Sequence, residues 1–216
     1  MGTANADDVV SWRQFFGGSY LTVEALKESG PTTYTIRDFA REELADPKTE
    51  EIRVKLVLYF EEDGRGLVLG KTTALCCDAM FGENVREWVG KGLTLYCDPT
   101  VKFGRNTVGG IRIQGSPDIP AQMTVRVKLP QRRAQEIPMR VTEPSPFGAL
   151  LKALHASGLT RAEFDQWAIG KGRSPMSAMS LDVMAKTAAW ITAGGAAKIR
   201  ESAPTAAAPA PGSWGE

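Results

Sequence analysis

The chain has 216 residues, 43% of them hydrophobic, and a formal net charge of +1. That is room for one good domain and a smaller one, with the composition of an ordinary globular protein. No apolar run approaches the roughly 20 residues a bilayer-spanning helix needs, which excludes a helical membrane protein. The start, MGTANADDVVSW, places acids where a secretory signal has a basic segment and an apolar stretch. Asn5 and Ala6 do not complete a myristoylation signal. The expectation is a cytoplasmic protein with no membrane partner.

Charge is unevenly distributed along the chain. Residues 1–100 carry 11 Lys/Arg against 17 Asp/Glu, whereas residues 101–140 carry 8 against 2. A concentrated basic stretch inside a neutral protein is a local footprint for phosphates, or else a solubilising strand and linker.

Residues 1–19 are polar with Trp12, Phe15 and Phe16 as anchors, and read as a flexible arm. Tyr20 to Lys27 is a short helical or extended lead-in closed by Ser29-Gly30-Pro31. A first strand is expected from Tyr34 to about Ala40, and a turn at Asp46-Pro47. From Arg53 to Phe60 apolar residues alternate, with Val54, Leu56, Leu58 and Phe60 on a core face and Arg53, Lys55, Val57 and Tyr59 opposite. Glu61 to Arg65 contains the Asp-Gly of a hairpin turn, and Gly66 to Leu69 returns as a third strand. A helix follows from Lys71 to Val89, capped by Thr72 or Thr73 and stopped by Gly90-Lys91-Gly92. Leu93 to Cys97 is a fourth strand, Val101 to Asn106 a basic hairpin, Val108 to Gln114 a fifth strand and Met123 to Leu129 a sixth.

The order strand-strand-strand-helix-strand-strand is that of a five-stranded Greek-key OB barrel, whose open sheet face and loops commonly hold nucleic acid. The expected fold is therefore mainly β: a five- or six-stranded OB-fold barrel over residues 20–129, with one internal helix. Residues 130–146 hold four prolines and three arginines and read as a linker. A helical module is expected over 147–201. In it Thr160 and Glu163 form a capping box, and a last helix from Ser180 or Leu181 to Ala193 is stopped by Gly194-Gly195. The Ala/Pro-rich tail 202–216 reads as disordered.

Catalytic motifs are not evident. Gly70-Lys71-Thr72 precedes a helix, but a phosphate-binding loop needs its first Gly at position 65, which is Arg65, and a loop where Leu67-Val68-Leu69 reads as strand. His155, the single histidine, falls late in a short helix, where it serves as a helix-end charge or a packed side chain. Cys76, Cys77 and Cys97 have neither metal nor disulfide spacing and read as small buried hydrophobes. No cofactor is indicated.

The stronger pattern combines bases and rings on strands, since single-strand binding needs cations for phosphates and exposed rings for stacking. The candidate nucleic-acid residues are Arg37, Arg41, Arg53, Lys55, Tyr59, Tyr96, Arg112, Arg126 and Lys128 on strands, Phe39 beside them unless it is core, Lys71 on the barrel surface, and Lys102, Phe103 and Arg105 in the hairpin before strand five.

Leu58-Tyr-Phe60, Gly66-Leu-Val-Leu-Gly-Lys-Thr-Thr73, Phe81-Gly82, Trp88-Val-Gly-Lys91, Leu95-Tyr96 and Ile111-Arg-Ile113 together resemble a family of small bacteriophage and prophage OB-fold proteins. The resemblance covers roughly residues 20–115. It implies a noncatalytic single-stranded DNA-binding or accessory protein in phage replication or recombination. That family often has Asn where this chain has Gly70 and Thr73. The helical module is similar to C-terminal segments of some phage recombination proteins, which implies replication or recombination proteins as its partners. The alternative is an OB-fold module that holds a host or phage protein, favoured by the acidic first hundred residues. Oligomeric state and the choice of DNA over RNA stay open.

Overall fold

The structure is a computed structural model that describes residues 18–45, 51–103, 106–129 and 133–202. The expected arm at 1–19 lies almost wholly outside the described residues, and so does nearly all of the tail at 202–216. The chain divides into two compact units, Met1–Gly148 and Ala149–Glu216.

The first unit opens with α1 (Val23–Ser29), whose cap Thr22 accepts the N–H of Ala25 at 3.4 Å. β1 (Thr32–Ala45) and β2 (Ile52–Phe60) form a long antiparallel pair, followed by β3 (Gly66–Val68). The turn between β2 and β3 is fixed by Asp63, which accepts the Arg65 N–H at 2.9 Å and pairs with its guanidinium at 2.7 Å. α2 (Lys71–Phe81) and a 3-10 turn (Val85–Trp88) come next. Then follow β4 (Gly92–Asp98), the short strands β5 (Lys102–Phe103) and β6 (Asn106–Thr107), β7 (Gly110–Ser116), β8 (Met123–Val127) and β9 (Gln135–Val141).

Seven strands form one sheet in the order β3-β2-β1-β4-β7-β9-β8, and β5 pairs with β6 apart from it. Among the described strand pairs of this sheet only β7–β9 is parallel. β1 changes partners along its length: Thr32 to Thr35 pair with β4, and Ile36 to Ala45 pair with β2. The exchange is marked by a bulge between Ile36 and Asp38 that makes Arg37 the extra residue. Both faces of β4 are covered at Leu93, Thr94 and Leu95. One apolar cluster joins Leu26, Ile36, Leu58, Phe60, Cys77, Leu93, Leu95, Val127 and Met139. Cys76 and Cys77 lie within it on α2, and burial pushes the Cys77 thiol up to about 12. They are packed hydrophobes and not reactive thiolates.

The second unit continues α3 (Pro146–Ala156) into α4 (Arg161–Gly170), a 3-10 turn (Met176–Ala178), α5 (Leu181–Trp190), a kinked turn (Ile191–Gly195) and α6 (Ala196–Ser202). Its buried residues include Leu150, Leu154, Phe164, Ala168, Met176, Met184 and Ile199. The Thr160–Glu163 capping box is present as expected. His155 is exposed in the last turn of α3.

Several expectations need correction. The fold is mixed α/β and not mainly β, because helices stand beside a seven-stranded open sheet. The segment 130–146 is not simply a linker: it contains β9, on which Met139 is fully buried. Its prolines misled because Pro138 sits where β9 has β8 on one side and no strand on the other, an edge position that tolerates proline. The helix from Lys71 stops at Phe81 and not at Val89. Gly82, at φ 90°, ends it there, and the indole N–H of Trp88 donates to the Gly82 carbonyl at 2.8 Å, fixing a separate turn. Gly70, not Thr72 or Thr73, is the N-cap. Gly194-Gly195 does stop the helix that begins at Leu181, with Gly194 leaving the helical region at φ 99°, but a further short helix not expected from the sequence, α6, starts beyond it with Ala196 and Ile199 buried.

Among the described residues no helix is long and apolar enough to cross a membrane.

Candidate functional site

Register decides which candidate residues share a surface, because residues directly opposite on paired strands project to the same face. Arg53, Lys55 and Tyr59 lie opposite Leu44, Glu42 and Asp38. Arg41 lies opposite Leu56, and Phe39 opposite Leu58, on the face that carries the core. The expected single row of Arg37, Phe39, Arg41, Arg53, Lys55 and Tyr59 is therefore two rows on opposite faces. The bulge at Arg37 is the cause, since an extra residue inverts every side chain after it.

On the outer face the central feature is acidic. Glu42 accepts hydrogen bonds from the hydroxyls of both Tyr20 and Tyr59. These bonds hold the Glu42 carboxyl below its ordinary range. In return the Glu42 bond, more than burial, raises both phenols, Tyr20 to about 12. Tyr20 reaches this position from a backbone bridge to Gly66, so the entering chain runs along the edge of β3. The Arg37 guanidinium lies 6.0 Å from the Tyr59 ring centroid. Tyr59 is thus half-buried with its hydroxyl occupied, and it is not the free stacking platform expected. The signal for this cluster was Glu42 at an outward position opposite Lys55, which only the register could supply.

Beyond the core the β1–β2 pair becomes a two-stranded ribbon exposed on both faces. Ile52 is 68% exposed and Val54 62%. Between this ribbon and the Val85–Trp88 turn runs a groove of about 660 Å³, lined by Phe39, Ala40, Arg41, Val54, Lys55, Leu56, Glu83, Asn84, Val85 and Arg86. It brings two exposed cations, Arg41 and Arg86, beside the half-buried ring of Phe39, and Lys55 borders it from the opposite face of the ribbon. Arg86 escaped sequence reasoning because its stretch reads as the continuation of a helix. As a separate turn, capped by the Asn84 side chain on the Arg86 N–H at 3.2 Å, it faces the ribbon.

The remaining candidates are dispersed. Arg53 is on the ribbon and pairs with Glu51 at 2.7 Å. Tyr96 and Arg112 are directly opposite each other on β4 and β7. Burial and then Asp98 raise the Tyr96 phenol. Thr32 pairs with Leu95 while Asp38 pairs with Tyr59, so about six residues of β1, roughly 20 Å of strand, separate these two rings. Arg126 faces Glu136 on the far edge strand, with Lys128 just past its end. Lys71 is exposed at the first turn of α2. Lys102 and Phe103 form β5, and Arg105 lies outside the described residues. No group of three or more His, Cys, Asp or Glu side chains converges as a metal ligand set among the described residues.

No protein-family model matches the chain, and no curated protein or solved structure matches it either.

Proposed function

We propose that the first unit is a noncatalytic module that holds single-stranded DNA in the groove between the β1–β2 ribbon and the Val85–Trp88 turn. The observation that carries this reading is the approach of Arg41 and Arg86 beside Phe39. Cations beside a ring are what a strand of phosphates and unpaired bases requires.

The topology supports the same reading. In a five-stranded Greek-key barrel the first strand pairs with the second and fourth, the fifth pairs with the fourth, and a helix lies between the third and fourth. The order β3-β2-β1-β4-β7, with α2 after β3, follows that scheme. We read it as an OB-type sheet left open between β3 and β7, with β8 and β9 added beyond β7. OB folds bind ligands with the face of their second and third strands and with two loops, those after the first and fourth strands. The ribbon leads into the first of these loops, and β5 and β6 belong to the second. In the setting implied by the phage resemblance, such a module keeps a strand unpaired for replication or recombination enzymes.

The second reading is a protein-docking barrel. Ile52 and Val54, exposed on the ribbon, favour it, as does Glu42 at the centre of the outer face. The test is anisotropy of a labelled single-stranded oligonucleotide titrated with the protein at low and moderate salt, with duplex as competitor. Salt-sensitive preference for the single strand supports the DNA reading. No binding at low salt refutes it and leaves the docking reading.

A further inference from the structure

The second unit carries a groove of its own, with different chemistry. At the end of α4 the Lys171 N–H donates to the carbonyls of Trp167 and Ala168, each at 3.1 Å, and the Arg173 N–H donates to Ala168 at 2.8 Å. This turn returns the Arg173 guanidinium to 5.3 Å from the Trp167 ring centroid. Trp167 stacks on Trp190 of α5, with centroids 5.5 Å apart and ring planes 17° apart. Gly195 backs onto Trp190 so closely that a Cβ there would lie 2.4 Å from the ring. Around these rings runs a groove of about 680 Å³ to which Lys171, Arg173, Lys186 and Lys198 contribute cations and Glu201 the single acid. The indole N–H of Trp167 is buried with no acceptor among the described residues.

We infer that this groove docks an acidic peptide segment of a partner protein. The peptide's carboxylates pair with Lys171, Arg173 and Lys186, and its apolar side chains lie against Trp190 and Val183. Charge complementarity sets the sign of the ligand, and a Trp/Arg cluster is the composition of a binding hot spot. Nucleic acid fits less well. Base stacking needs an open ring face, whereas Trp167 lies against both Arg173 and Trp190, and Trp190 against both Trp167 and Gly195. Cations at the end of α4 also complement its dipole. That role does not account for Lys186 and Lys198 arriving from other helices. The Lys186–Asp182 pair, at 3.5 Å with both side chains at least 80% exposed, is weak enough to yield to a ligand carboxylate. The inference does not depend on DNA binding by the first unit.

The experiment uses the full chain and three labelled probes: a short peptide alternating Glu with Leu and Phe, its Gln analogue, and oligo(dT). The acidic peptide binds in a salt-sensitive manner, and the Gln analogue binds about tenfold more weakly or less. Arg173→Glu with Lys186→Glu weakens the acidic peptide by about tenfold or more, with the helical circular dichroism unchanged. Arg41→Ala with Arg86→Ala leaves the peptide affinity intact. No peptide binding at low salt, equal binding of the Gln analogue, or insensitivity to the Arg173/Lys186 reversal each overturns the inference. So does loss of oligo(dT) binding in that reversal without loss of peptide binding, which would make the groove a nucleic-acid site.

Discussion

Arg41→Ala combined with Arg86→Ala removes one cation from each wall of the first unit's groove. Both side chains are exposed, so truncation costs little folding energy, within about 0.5 kcal/mol at such positions. If each arginine neutralises one phosphate, the wild-type dependence of log affinity on log salt loses about 0.7 per contact, or roughly 1.4 for the pair. Counterion release vanishes near 1 M salt, so the lost factor at 0.1 M is about fivefold per contact and about 25-fold for both. At 0.01 M the same reasoning gives a loss of several hundredfold, about 600. The assay is oligonucleotide anisotropy at three or more salt concentrations, with a thermal melt of each variant beside it. Lys128→Ala, at the far edge of the sheet, is the control and leaves the groove untouched. A double variant that melts like wild type and keeps both affinity and salt slope would refute the assignment of this groove to DNA. A uniform loss at every salt concentration would refute the electrostatic mechanism instead.

Three further expectations concern the internal stability of each unit taken by itself. Glu42→Gln removes the carboxylate that Tyr20 and Tyr59 share. Because the folded Glu42 pKa is lowered, its stabilisation is present above the unfolded value of about 4.3 and is lost as pH falls through the folded one. Urea midpoints of wild type and variant should therefore differ at neutral pH and converge in strong acid, and a constant gap would count against the cluster. Gly115→Ala places a methyl 1.8 Å from the Arg140 carbonyl oxygen at the β7–β9 junction, so it should cost about 3 kcal/mol or more, read as a fall in the urea midpoint. An unchanged midpoint would mean that β9 does not pack there. Thr160→Ala deletes half of the capping box and should cost the second unit about 1 kcal/mol by the same measurement, whereas Thr160→Ser should largely restore it.

The parts of the fold that were legible in the sequence are those with a local cause. β2 announces itself by alternation, the turn after it by Asp63-Gly64, and α4 by Thr160 and Glu163, each within a few residues. β9 was not legible. Its pairing with β7 is confined to Gly115–Arg140 and Ser116–Val141, and its identity as a strand comes from partners rather than from its proline-bearing sequence. The same holds for α6, which begins just beyond the helix-stopping Gly194 because Ala196 and Ile199 have a core to enter.

The candidate site shows the same division more sharply. That Arg41, Lys55 and Tyr59 belong to neighbouring strands could be read from pattern alone, but the face each occupies could not. An alternation rule carries phase along a strand only while the strand is regular, and β1 contains one irregularity, at Arg37. Before it, Tyr34 and Ile36 are the core residues. After it, the odd-numbered Phe39 takes that role and brings Arg41 with it. One inserted residue thus moves Arg41 from the side of Tyr59 to the side of Arg86, and turns a presumed flat basic face into a groove. Deleting Arg37 removes the extra residue and leaves Ile36, Asp38 and Phe39 in plain alternation opposite Phe60, Tyr59 and Leu58, each on the face it already occupies. Phe39 then stays opposite Leu58 and Arg41 opposite Leu56, so the groove should survive the deletion. Absorbing Arg37 into the regular ladder without a deletion is what would drive Phe39 outward and put Asp38 or Ala40 against Leu58. The deletion variant should therefore fold and bind oligonucleotide with the wild-type salt dependence, and a variant that melts like wild type but has lost that dependence would contradict the assignment of faces on which the groove rests.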